Sequence, residues 1–196
     1  LDVVEVLKKL HKEDKELQDL DRESVSQVFL FFDLDIHGLA QSIEQSCEQL
    51  DELLNFFDNE TENGKLFLSY PMVEVVNICD RSNGLMSEDR KLFKICDCEG
   101  DGFKHFVNDL NRDSKTICRA NCRENWLIIC RANYEKAKWL MKLPTETLSL
   151  EQMQQAAILQ HQQKLIKQDN VVATLSAFPF FLLEYLGAGK ILKMIN

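Results

Sequence analysis

The chain has 196 residues, 45% of them hydrophobic and 28% charged, enough apolar material for the core of one domain or two small ones. Its 23 basic and 32 acidic residues leave a net charge of −9, which disfavours unspecific coating of a phosphate backbone but leaves room for a local basic groove or a metal-dependent site. Seven glycines and three prolines are too few for a turn-rich all-β fold, and no run approaches the ~18 uncharged apolar residues of a membrane span.

The first 20 residues predict a helix, because Val3, Val4, Leu7, Leu10, Leu17 and Leu20 recur at three- to four-residue spacing among Lys and Glu. This pattern is already running at Leu1, with neither a Met nor a signal-peptide pattern before it, so the protein is expected to extend upstream. Val28–Phe32 is a run of large β-branched and aromatic residues, as expected of a buried parallel strand. The segment 40–57 returns to helix, with Ile43, Cys47, Leu50, Leu54 and Phe57 on one side. An acidic loop, 58–64, closes on Asn63-Gly64. Leu66–Ser69 predicts a second strand, stopped by Pro71, and Met72–Cys79 a short helix with Pro71 suited to its first turn.

Residues 80–113 read as loop-rich and polar. A long helix is expected over 114–142, N-capped by Ser114 and ended by Pro144. Another follows over 149–168, where Ser149 and Gln152 have capping-box spacing. Val171–Leu175 predicts a third strand, and 180–186 a short helix closed by Gly187. Strands alternating with helices predict an α/β fold whose three strands are neighbours and mostly parallel. The aromatic residues from Phe178 to Tyr185 are too many to expose, so this last helix is expected to pack on the core of the first strand.

Asp33 and Asp35 follow the first strand, at the edge where parallel sheets gather ligands. Residues i and i+2 of an extended tip point the same way, so both carboxylates can face one Mg²⁺ or Mn²⁺. Such an ion stabilises charge on a phosphoryl group. The plainer reading is one helix cap and one solvated carboxylate. Glu74, after the second strand, is either a third metal carboxylate or a first-turn acid favoured by the helix dipole. A rival reading places Asp33, Asp35, His37, Gly38 and Glu44 at positions 1, 3, 5, 6 and 12 of an EF-hand calcium loop. That loop needs an entering helix where the apolar run predicts a strand.

Three phrases carry a resemblance: FLFFDLDIH, then FFDNETENGKLFLSYPMVEVV, then TLSAFPFFLLEYLG. Together they resemble the Toprim-type nucleases of bacterial anti-phage defence, relatives of the OLD and RloB proteins. The resemblance spans most of the chain. It implies one Toprim-like domain over 1–196: a mostly parallel central sheet flanked by helices, with 80–168 a largely helical insertion. It maps the family's metal-binding DxD onto Asp33 and Asp35 and implies a Mg²⁺- or Mn²⁺-dependent nuclease. DNA, tRNA or other RNA would be its substrate and a partner ATPase its control. The family's further Glu has no match at Glu5, which lies on a helix face beside Lys8 and Lys9. It is expected upstream of Leu1 or is absent. In the latter case the chain is a binding or regulatory module.

The other candidates have two readings each. Asp58, Glu60 and Glu62 suit a solvated loop; His37 is a proton carrier or a polar loop residue. Cys96, Cys98, His105, Cys118 and Cys122 are a possible zinc set, with buried free thiols the alternative. An odd total of seven cysteines fits reduced thiols in a cytoplasm rather than a disulfide framework. Arg119, Arg123, Arg131, Lys136 and Lys138 make the long helix the most basic element, either a nucleic-acid face or a solvated one paired with Glu124 and Glu135. Trp126 and Trp139 are read as core. Homo-oligomerisation is compatible with this composition, and membrane association is not expected.

Overall fold

The computed structural model describes residues 2–34, 43–78, 92–98, 101–112, 123–144 and 150–194. They form an α/β fold with mixed sheets. β1 (Phe29–Asp33) and β3 (Gly64–Ser69) run parallel, in register from Phe29–Lys65 to Asp33–Ser69. Between them lie α3 (Ile43–Phe56) and β2 (Asp58–Asn59), and β2 folds back antiparallel on the start of β3. Gly64 makes that reversal possible. Its φ of +109° suits glycine, and a Cβ there would come within 3.2 Å of Val28 Cγ1.

Strand alternation puts Phe29, Phe31 and Phe67 on one face, against α7 (Ala177–Leu186). Phe29 lies 4.8 Å from Phe181 edge-on, and Phe31 stacks 5.8 Å from Phe67. Such pairs contribute roughly 0.5–1.5 kcal/mol each beyond their burial. Lys65 of β3 pairs with Glu184 of α7. The expected packing of the C-terminal aromatic helix on the first strand is therefore present. The opposite face of β3 carries Leu66 and Leu68, both buried. One apolar cluster joins these strands to Leu54 of α3, Tyr134 of α5 (Arg123–Met141), Ile158 of α6 (Gln155–Asp169) and Phe180 of α7.

The first strand departs from the expectation in one respect. It is an edge of the described sheet, whose order is β1-β3-β2, and Phe31 and Phe32 are 43% and 42% exposed. The third strand departs further. β5 (Val171–Ala173) is not a parallel neighbour of β1 and β3; it pairs antiparallel with β4 (Leu92–Lys94). It meets the first sheet only through an antiparallel bridge between Leu175 and Tyr70. α6 ends at Asn170 in the left-handed conformation, φ 54°, and turns the chain directly into β5 beside β4.

The N-terminal helix also divides, into α1 (Val3–Leu10) and α2 (Lys15–Gln18). Asp14 caps the second piece by accepting from Leu17 N–H, and Gln18 Nε2 donates to the Lys8 and His11 carbonyls that end the first. The stretch read as polar loop contains β4 and α4 (Gly102–Arg112). Phe103, Phe106 and Val107 have helical spacing, and Phe103 and Val107 are buried. Val73–Ile78 is a 3₁₀ helix. The 149–168 helix begins later than expected, with Leu150–Met153 a separate 3₁₀ turn and no side-chain cap at Gln154. Ser114 and Ser149 lie outside the described residues. Gly187 closes α7 with φ 86°, and α8 (Ala188–Lys193) follows. Among the described residues no helix is long and apolar enough to cross a membrane.

Candidate functional site

The carboxyl ends of β1 and β3 meet the N-terminus of α7. Asp33 and Ser69, the last residues of the two strands, are register partners. Across the bridge, Tyr70 N–H donates to Leu175 O at 2.7 Å and Leu175 N–H to Tyr70 O at 3.0 Å. That exchange brings the phrases SYPMVE and SAFPFF together, although a hundred-odd residues separate them. Ala177 N–H, in the first turn of α7, then donates to Ser69 Oγ at 3.4 Å. Ser176 is the N-cap of α7, its side chain makes no capping bond, and its N–H donates to Asn133 Oδ1 of α5 at 2.8 Å.

These residues border a hollow of about 460 Å³, lined among others by Phe31, Asp33, Ser69, Trp126, Ser176 and Phe178. A volume of this size accepts a nucleotide-sized ligand. One side is polar: a carboxylate, two serines and the positive end of a ten-residue helix. The other is aromatic. Lys136 stands behind it, buried on α5, donating to the carbonyl and hydroxyl of Thr174 and so holding the strand that leads into Ser176.

Asp33 therefore lies where the sequence places it. Asp35 and His37 lie outside the described residues. Glu74 is half-buried on the 3₁₀ helix whose Val73 and Val76 line the hollow. At three residues per turn Val73 and Val76 share a face, and Glu74 is turned about 120° away from it. Glu74 is not among the lining residues. Among the described residues no group of three or more His, Cys, Asp or Glu is placed to hold a metal, a set that does not include Asp35. The donors bordering the hollow are hard oxygens, the kind Mg²⁺ and Mn²⁺ take while keeping several waters.

The EF-hand arrangement needs a helix before Asp33, and Phe29–Asp33 is a strand. Of the zinc candidates, Cys118 and Cys122 lie outside the described residues, Cys96 is an exposed free thiol and His105 is exposed on α4. The basic helix face is not continuous. Lys136 and Lys138 are buried, the latter 3.5 Å from Glu135 and over the Tyr134 ring, while Arg123 is exposed. Arg119 lies outside the described residues. Trp126, read as core, is half-buried and lines the hollow.

Ser69, Ser176, Phe31 and Phe178 carry no motif by which spacing alone would single them out. The usable signal is positional, since both serines sit at the ends of apolar runs. Tyr70, between Ser69 and the bridge, is fully buried with no partner for its hydroxyl among the described residues. Burial first, and the Cys47 thiol second, push its phenol far above the ordinary range, so it stays neutral. No protein family model, no curated protein and no solved structure matches the chain.

Proposed function

We propose that the hollow at the carboxyl edge of β1 and β3 is the site of a metal-dependent phosphodiesterase of Toprim-like type. In this reading the chain is the nuclease effector of an anti-phage defence system in the cytoplasm, controlled by a partner ATPase. The observation that carries the chemistry is Asp33 at the end of a parallel strand, bordering a nucleotide-sized hollow that also receives a helix N-terminus. The defence role and the ATPase rest on the resemblance of the three quoted phrases.

Each residue has a task. The Asp33 carboxylate, with Asp35 two residues on, would hold Mg²⁺ or Mn²⁺; Glu74, the third carboxylate expected from the sequence, is not among the residues lining the hollow and is given no part in holding the ion. The bound ion supplies Lewis-acid stabilisation of phosphoryl charge and a more acidic water. Ser69 Oγ accepts from Ala177 N–H, which leaves its own O–H to donate to a phosphate oxygen. The N-terminus of α7 adds a fixed positive potential where that phosphate sits. The aromatic wall keeps bulk water from one side.

The test is cleavage of plasmid DNA and of tRNA by the purified chain with Mn²⁺, Mg²⁺ or EDTA, beside Asp33→Asn. Cleavage should require the metal and fall about a hundredfold or more in the variant, with a melting temperature close to that of the parent. Equal cleavage by Asp33→Asn, or cleavage in EDTA, overturns the assignment. A second reading follows from the single carboxylate among the residues lining the hollow: a binding module of the same fold without turnover. Nucleic-acid binding with no cleavage under any metal would select it.

A further inference from the structure

We propose that the hollow beside Asp33 continues past Trp126 and Phe178 as a track for single-stranded nucleic acid, with bases stacked on aromatic rings and a neighbouring phosphate held by Arg123 and Lys190. The proposal rests on the phosphodiesterase reading for the position of the scissile phosphate, and names an unpaired strand as the substrate.

A second hollow, about 380 Å³, is lined by Arg123, Trp126, Phe178, Leu182, Lys190 and Met194 among others. Trp126 and Phe178 border both hollows. The rings form a short series: Phe31 lies 5.6 Å from Phe178, and Phe178 lies 5.1 Å from Trp126. Phe31 and Phe178 are 43% and 37% exposed, so their rings are open to a ligand. Every base has a π-face, so a row of aromatic rings binds unpaired bases with little regard to sequence. In a duplex the bases are stacked on one another and cannot reach such rings without being extruded.

Charge decides between this strand and a neutral apolar ligand. Arg123 and Lys190 are exposed at the far hollow, and neither has a carboxylate partner among the described residues. Arg123 Nη2 lies 3.0 Å from Met194 Sδ. In a chain of net charge −9, two unneutralised cations beside an aromatic wall are a local exception that matches a phosphodiester. Asp33 at one end and the cations at the other give the track a direction, from the metal-binding end to a phosphate of the same strand.

The experiment measures fluorescence anisotropy of a labelled short oligothymidylate, and of its duplex with oligoadenylate, binding the full chain in EDTA. The single strand should bind about tenfold tighter than the duplex. Phe178→Leu should weaken single-strand binding about tenfold. The double variant Arg123→Gln, Lys190→Gln should weaken it and make the logarithmic salt slope shallower by about 1.4, the value for two phosphate contacts on a single strand. Duplex binding as tight as single-strand binding overturns the proposal, as does a dissociation constant within twofold of the parent's in both variants. The cation variant alters exposed positions, so it stays informative if Phe178→Leu lowers the melting temperature. Strand binding with this variant pattern but no metal-dependent cleavage would keep the track and remove the nuclease. Cleavage that needs Asp33 but ignores both variants would keep the nuclease and remove the track.

Discussion

β3 is held differently along its two edges. On one side β1 covers it with a continuous parallel ladder of five register pairs, and aromatic rings from both strands pack on α7. On the other side the two-residue β2 covers only its start, where Phe57 O receives Leu66 N–H, and beyond it two separate acceptors follow: Gln155 Oε1 receives Leu68 N–H, and Leu175 O receives Tyr70 N–H. β5 shows the same device. Buried Gln162 donates to Ala173 O at 2.7 Å and accepts from Ala173 N–H at 2.9 Å, so one side-chain amide replaces a neighbouring strand. The first region relies on area and shape, in which many contacts share the load. The second relies on isolated hydrogen bonds, among them those of the Gln155 and Gln162 side-chain amides, to satisfy backbone groups that are out of reach of water.

Substitutions should separate the two. The largest effect is expected at Phe67, which is 1% exposed among Phe29, Phe31 and Phe181. Phe67→Ala should cost about 3–5 kcal/mol in urea unfolding, and Phe67→Leu much less, since an apolar core tolerates similar volume. Next comes Gln162→Met, which conserves volume but strands the N–H and the C=O of Ala173. It should cost about 2–4 kcal/mol. If Gln162→Met is as mild as Phe67→Leu, the contrast between the two regions fails.

The smallest effect concerns pH. His161 neighbours Gln162 on α6, and burial, followed by Lys164 and Lys142, lowers its pKa below the ordinary 6.5. As pH falls through 6.5 the unfolded chain takes up the proton before the folded one does, so this contribution to stability is lost toward lower pH. Melting temperatures measured at neutral and mildly acidic pH should fall less for His161→Gln than for the parent. Equal falls would show that the side-chain-held region carries no such penalty.

Much of the first region could be read from residue order. Val28–Phe32 and Leu66–Ser69 have no helical face to bury, so their apolar runs specify strands, and Asn63-Gly64 and Gly187 mark turns that need positive φ at the glycine. Asp33 could be placed at a strand end for the same reason. The second region could not be read this way. Gln155 and Gln162 fall in a glutamine-rich helix where neighbouring glutamines such as Gln160 face solvent, and their one-letter code does not tell which amide is buried. α4 was obscured by the polar residues and the Asp-Gly pair around it.

Local sequence determined the long apolar strands β1 and β3 and the helices with a clear apolar stripe, because backbone preference and apolar periodicity act over a few residues. Tertiary structure alone decided that β1 is an edge of the sheet the described residues form, that β5 runs antiparallel to β4, and that Ser69, Ser176, Phe178 and Trp126 meet beside Asp33. Those outcomes depend on contacts between residues tens to more than a hundred positions apart. Their free energy comes from burying and hydrogen-bonding groups together, a property of the pair that neither segment carries by itself.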